Sequence, residues 1–199
     1  MKKILTGIGL IFCVACASLP TSVEYVQRGD GYLKDGKIKK ALAAYNRAIA
    51  LNPENLEAYS SRGTAHFFEG NFALAEKDFK YILTKNPYHA DAYTALGSAL
   101  ASQGDYDGAL QMLERAIALK PNRPENVLSR AGIYFMQGRY EQALADYSAV
   151  IRYYPAAEVY QARGVVYQKM GKQDLAERDF ATAQNVPMPA TLSVYNMVK

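Results

Sequence analysis

Apolar residues recur along residues 22–189 in paired stretches, each about 14 residues long and at helical spacing. A Gly parts the two stretches of each pair, and a Pro follows the second. Gly suits a helix C-terminus or tight turn, and Pro cannot continue a helix, so the pattern predicts helix–turn–helix units. Pro53, Pro87, Pro121 and Pro155 stand 34 residues apart. Gly36, Gly70, Gly104 and Gly138 keep the same interval, with Gly171 after 33. Ala41, Ala75, Ala109, Ala143 and Ala176 follow the same beat. The units are 22–55, 56–89, 90–123, 124–156 and 157–189, the last out of phase because the link Pro155–Glu158 is one residue short. One helix pair cannot cover its own apolar face, so the pairs must stack into an all-α solenoid.

These offsets resemble the tetratricopeptide repeat family. Unit two reads Tyr59, Gly63, Gly70, Phe72, Ala75, Phe79, Pro87; unit three reads Tyr93, Leu96-Gly97, Gly104, Tyr106, Ala109, Ala116, Pro121. Unit one carries Tyr25, Gly29, Tyr32, Gly36, Ala41, Tyr45, Ala48, Pro53. Unit four departs at Val127 and Ala131, while unit five keeps Tyr160, Gly164, Tyr167, Gly171, Ala176, Phe180, Ala183. The resemblance implies five repeats forming a right-handed superhelix. After Pro189, Leu192, Tyr195 and Val198 at helical spacing suggest a short capping helix within 190–199.

Two positions vary together. The seventh of each unit is Arg28, Arg62, Leu96, Arg130 and Arg163; the twenty-third is Ala44, Asp78, Met112, Asp146 and Asp179. Every Asp has an Arg, and the Met has a Leu. Ion pairs Arg62–Asp78, Arg130–Asp146 and Arg163–Asp179 are expected between the two helices of a unit, with an apolar Leu96–Met112 contact in unit three.

Core positions 4, 7, 8 and 11 of each first helix share one side at 100° per residue, which leaves positions 2, 5, 9 and 12 opposite. In the resembled family that opposite face lines a concave groove. It predicts a partner-binding lining of Val26, Asp30, Ser60, Thr64, Phe67, Thr94, Ser98, Leu128, Phe135, Gln161 and Val165. Family members that clamp a chaperone's C-terminal carboxylate use Lys and Asn at positions 5 and 9, and no unit here has them. Position 2 is acidic in four units, so an extended or helical protein segment with apolar anchors and some basic charge would suit the groove. The other reading of Phe67 and Phe135 is packing onto the next helix. His66 stands where sister units carry Tyr32, Tyr134 and Tyr167, which makes it a core substitute. Tyr81, Tyr153 and Tyr154 lie off the main aromatic positions and are candidates for exposed contact points.

The chain's start changes the compartment. Met1-Lys2-Lys3 precedes an uncharged apolar run to Ala15, the form of a secretory signal and too short to span a membrane. Cys13-Val14-Ala15-Cys16 resembles the bacterial lipobox, although Cys13 stands where that family usually has Leu. The resemblance implies a signal peptide over 1–15, a lipidated Cys16 and a linker over 16–21. An ordinary signal with incidental thiols, or an uncleaved anchor, is the other reading. Ala17 and Ser18 follow the Cys where inner-membrane retention often uses Asp, which resembles outer-membrane sorting.

Composition then excludes classes. The 199 residues are 50% hydrophobic and 21% charged, unlike a disordered or collagenous chain. Trp is absent, and there are two His and two Cys, too few to suggest a zinc site or a nucleophile–base pair. Removing Lys2 and Lys3 lowers the net charge from +4 to +2, which weakens any case for nucleic acid. The expectation is no enzyme, no metal, no small-molecule substrate and no cofactor beyond the lipid on Cys16. The expected function is a periplasm-facing, lipid-anchored scaffold that binds a protein partner. Similar layouts occur among lipoproteins that assist pilus secretins or cell-wall machinery. A self-associating structural lipoprotein is the alternative.

Overall fold

The computed structural model describes residues 19–186, so the signal over 1–15, Cys16 and the cap over 190–199 lie outside the described residues. Ten helices make up this span. The first helices of the units are α1 (Ser22–Lys34), α3 (Leu56–Phe68), α5 (Ala90–Ser102), α7 (Pro124–Met136) and α9 (Ala157–Lys169). The second helices are α2 (Ile38–Leu51), α4 (Phe72–Lys85), α6 (Tyr106–Leu119), α8 (Tyr140–Tyr153) and α10 (Gln173–Asn185).

Local chemistry sets the ends. Thr21 and Glu24 form a reciprocal capping box on α1. Asn55, His89 and Asp105 accept backbone N–H bonds at the starts of α3, α5 and α6, and Pro124 opens α7, where its missing N–H costs nothing. Each first helix stops at a Gly with φ between 71° and 84°. That left-handed region strains any other residue, which fixes the 34-residue Gly beat.

The two helices of each unit pack on each other, the second helix of units one to four packs on the first helix of the next unit, and α1 touches α3, α3 touches α5 and α5 touches α7. Close approach depends on position 8. A Cβ on Gly63 would lie 2.8 Å from the Phe79 ring, and one on Gly164 would lie 2.6 Å from Phe180. Unit four carries Ala131 there, and its facing Tyr147 is 8% exposed where Phe79 is 2%. Buried residues form three clusters that cross unit boundaries. In the first unit Val26, Ala41, Tyr45 and Ala48 pack with Ala58 and Ala65 of the second. The solenoid therefore has no stable single repeat.

Candidate functional site

Between the two helices of units two, four and five, three Arg residues brace the fold. Arg62 Nε and Nη2 donate to the two Asp78 oxygens (2.8 and 2.6 Å). Arg130 binds Asp146 (2.8 and 2.8 Å), and Arg163 binds Asp179 (2.8 and 2.8 Å), in the same two-pronged way. Each Asp is buried. Arg62 also donates to Asn46 of α2 (2.7 Å) and Arg163 to Ser148 of α8 (3.0 Å), so two of the three tie neighbouring units. In unit three, buried Leu96 and half-buried Met112 belong to one apolar cluster. Arg28, with no Asp opposite, lies over the Tyr25 ring at 5.3 Å.

The groove lining differs from the face read off one helix. Val26 is 1% exposed, covered by Ala58 and Ala65 of α3, and lines nothing. Position 5 points at the next first helix: Thr94 donates to Asn126 of α7 (2.8 Å), a polar version of the Val26 contact. Ser60, Thr94 and Leu128 are accordingly half-buried. Position 12 points the same way. Phe67 packs on the cluster built around α5 and meets Phe72 at 5.3 Å. Phe135 packs with Val159 and Val166 of α9 and meets Tyr140 at 5.8 Å. Positions 3 and 10, which are Ala58 and Ala65 or Ala92 and Ala99, face the preceding unit.

The free wall is thus made by positions 2, 6, 9 and 13, which fall within about 60° of arc at 100° per residue. Asp30, Thr64, Ser98 and Val165 of the expected lining lie on it. Position 13 was missed by the sequence reading, yet it carries the largest apolar groups there: Phe68 is 54% exposed and Met136 is 64% exposed. Its signal is the i+4 step from position 9. Gln161 and Val165 border an open cleft of about 410 Å³ between α9 and α10, with Glu158 and Phe180.

The wall's chemistry is one-sided. In the three central units it presents Glu57, Asp91 and Glu125 and no base. Thr64, Ser98 and Ser129 spend their hydroxyl protons on the carbonyls of Ser60, Thr94 and Glu125. Apart from the hydroxyls of Ser61 and Ser102, what remains is lone pairs and carboxylates, so the wall accepts more hydrogen bonds than it donates. Asp91 is bound by Lys120 (3.0 Å) and approached by Arg123 (3.4 Å); the Lys120 hydrogen bond holds its carboxyl below the usual carboxylate range. Asp30 accepts from the Tyr45 hydroxyl (2.7 Å), and burial pushes that phenol's pKa up.

His66 packs in the core region, its Nδ1 buried without a partner, and burial pushes the imidazole below its ordinary pKa. Tyr81 stacks on Tyr59 at 4.1 Å and donates to the Pro53 carbonyl (2.9 Å), whereas Tyr153 and Tyr154 are exposed.

Known proteins match this architecture. Models described as tetratricopeptide repeat match residues 61–124, 100–164 and 157–186, and one described as TPR repeat matches 29–70. Tetratricopeptide repeat protein 13 of Homo sapiens is 37% identical over 75 residues, which is 38% of this chain. The match spans only 8% of that relative's length. Among solved structures, MamA is similar at TM-score 0.72 and 26% identity, covering 79% of this chain and 92% of its own. YrrB, described as a TPR protein with an unusual peptide-binding site, is similar in fold at TM-score 0.67 and 22% identity, covering 82% of this chain and 85% of its own. With five stacked helix pairs, positive-φ glycines at each turn and family matches running from residue 29 to 186, the chain belongs to the tetratricopeptide repeat family, a fold of protein-interaction scaffolds.

Proposed function

We propose that the protein is a lipid-anchored adaptor facing the periplasm, which holds a basic, apolar-anchored segment of another envelope protein against its concave wall. The observation that carries this reading is the wall itself. It offers acceptors and carboxylates with Phe68 and Met136 at its edge, so a ligand must bring N–H donors, positive charge and apolar side chains. Peptide binding is named for YrrB; here it is inferred from this chain's own residues. Assembly of a pilus or secretion secretin, or of cell-wall machinery, is the process this layout suits.

The lipid on Cys16 would place the scaffold. Ala17 to Ser22 reach about 20 Å at most, so the first repeat would stay near the bilayer, outer membrane by the residues after the Cys. End-on self-association is disfavoured at the first repeat. Positions 3 and 10, mostly apolar where a unit receives its neighbour, are Glu24 and Gly31 there.

Crosslinking and affinity purification from envelopes test the adaptor. The unaltered chain is expected to capture an envelope protein other than itself, and Glu57→Lys with Glu125→Lys to lose it while the helical circular dichroism is kept. Recovery of only the protein itself would favour the structural lipoprotein. Globomycin-type inhibition is expected to accumulate precursor; no accumulation would remove the lipid from the account.

A further inference from the structure

Helix α2 stands apart in charge. It carries Lys39, Lys40 and Arg47 and no acid, whereas each of the nine other described helices carries at least one Asp or Glu. Lys37 caps it and Lys34 ends α1. Bases in a first turn oppose the helix dipole; Lys40 lies over the Tyr32 ring at 5.9 Å, but Lys39 and Arg47 gain no such contact among the described residues. Lys39, Lys40, Ala43, Arg47, Ala50 and Leu51 are all exposed and fall within about 120° of arc at 100° per residue. Lys37 is bound by Asp35 (2.8 Å), but Lys39, Lys40 and Arg47 form no ion pair among the described residues.

The face lies where the chain enters the solenoid. The Ser22 hydroxyl donates to the Ala48 carbonyl (2.9 Å) and accepts from Asn55 Nδ2 (2.8 Å), so residues before Ser22 leave beside the Arg47–Leu51 end of α2. Exposed apolar groups gather along the same stretch: Leu51, together with Leu19 and Val23 on the entering segment.

We propose that this outer face of α2 rests on an anionic phospholipid surface and orients the first repeat on the membrane. The bases supply the electrostatic attraction, worth about fivefold in binding for each base near such a surface, and Leu51 can enter the headgroup boundary. The acids of the concave wall are repelled by the same surface, which turns the groove toward its partner. An acidic protein would also attract the bases. The membrane is favoured because the face adjoins the point from which a tether of five residues, Ala17–Thr21, would leave. Only this proximity rests on the lipoprotein reading.

The test uses the unlipidated chain beginning at Ala17, since all ten helices and the three core clusters lie within the described residues. It is sedimented with phosphatidylcholine vesicles, with and without phosphatidylglycerol. Binding is expected only with phosphatidylglycerol and is expected to weaken as salt is raised. Lys39→Glu with Lys40→Glu and Arg47→Glu should lower the partition coefficient by about a hundredfold or more with circular dichroism unchanged. Lys77→Glu with Arg115→Glu, exposed bases of other repeats, should leave it unchanged. Equal binding to both vesicle types, or equal binding by the α2 variant and the unaltered chain, would overturn the proposal. Either failure leaves lipid attachment at Cys16 untouched, because the precursor assay reads that separately.

Discussion

Arg130 and Asp146 exchange two hydrogen bonds inside a unit, with the Asp nearly out of solvent. Removing one partner strands the other charge. Asp146→Ala should therefore cost about 3 kcal/mol, read as a lower denaturation midpoint. Repeat three solves the same packing problem with Leu96 and Met112, so the double change Arg130→Leu with Asp146→Met should recover most of that loss. If the double variant is no more stable than Asp146→Ala, the pair does more than fill and brace the unit. His66 gives a pH dependence. Burial lowers its folded pKa, so below about pH 6.5 the unfolded chain binds more protons than the folded one. The stability tied to the neutral ring is present above that pH and is lost as pH falls toward the lowered folded value. His66→Tyr, the residue of three sister repeats, should flatten the fall in melting temperature between about pH 7 and 5. An unchanged slope would mean that another group titrates.

At the scale of helices and pairs, position 8 decides how closely two helices meet. Gly63→Ala would put a methyl group against Phe79 and should cost about 2 kcal/mol as overpacking. A neutral result would show that the Phe79 ring can make room for a methyl group, as unit four accommodates Ala131 facing Tyr147. The helices themselves were legible in the sequence, because apolar period, Gly turns and Pro links all mark the same boundaries five times. So were the Arg–Asp pairs, whose partners vary together. The groove was read less well. One helix shows which side is core, but not which flanks are covered by neighbouring units. Val26, Thr94 and Phe67 look free on a single helix and are covered once the next unit docks. The small residues at positions 3 and 10, such as Ala58 and Ala65, held the missing signal. An apolar flank opposite positions 5 and 12 means that both flanks are interfaces, which leaves positions 2, 6, 9 and 13 as the wall.

Across the whole molecule, charge is sorted by surface. The chain is net basic, yet the wall of the three central units bears only acids, while α2 of the first repeat carries bases and no acid. A scaffold with this distribution can sit on an anionic surface and still attract a basic segment on another side. The wall is the central claim, and a photo-crosslinking residue tests it most directly. It is placed at Ser98 in the middle of the wall and, in a separate protein, at Lys77 on the outer side of α4. The expected result is an envelope-protein crosslink from Ser98 and none from Lys77, with the captured segment rich in Lys or Arg beside apolar residues. Capture from Lys77 but not from Ser98, or a captured segment that is acidic, would contradict the account.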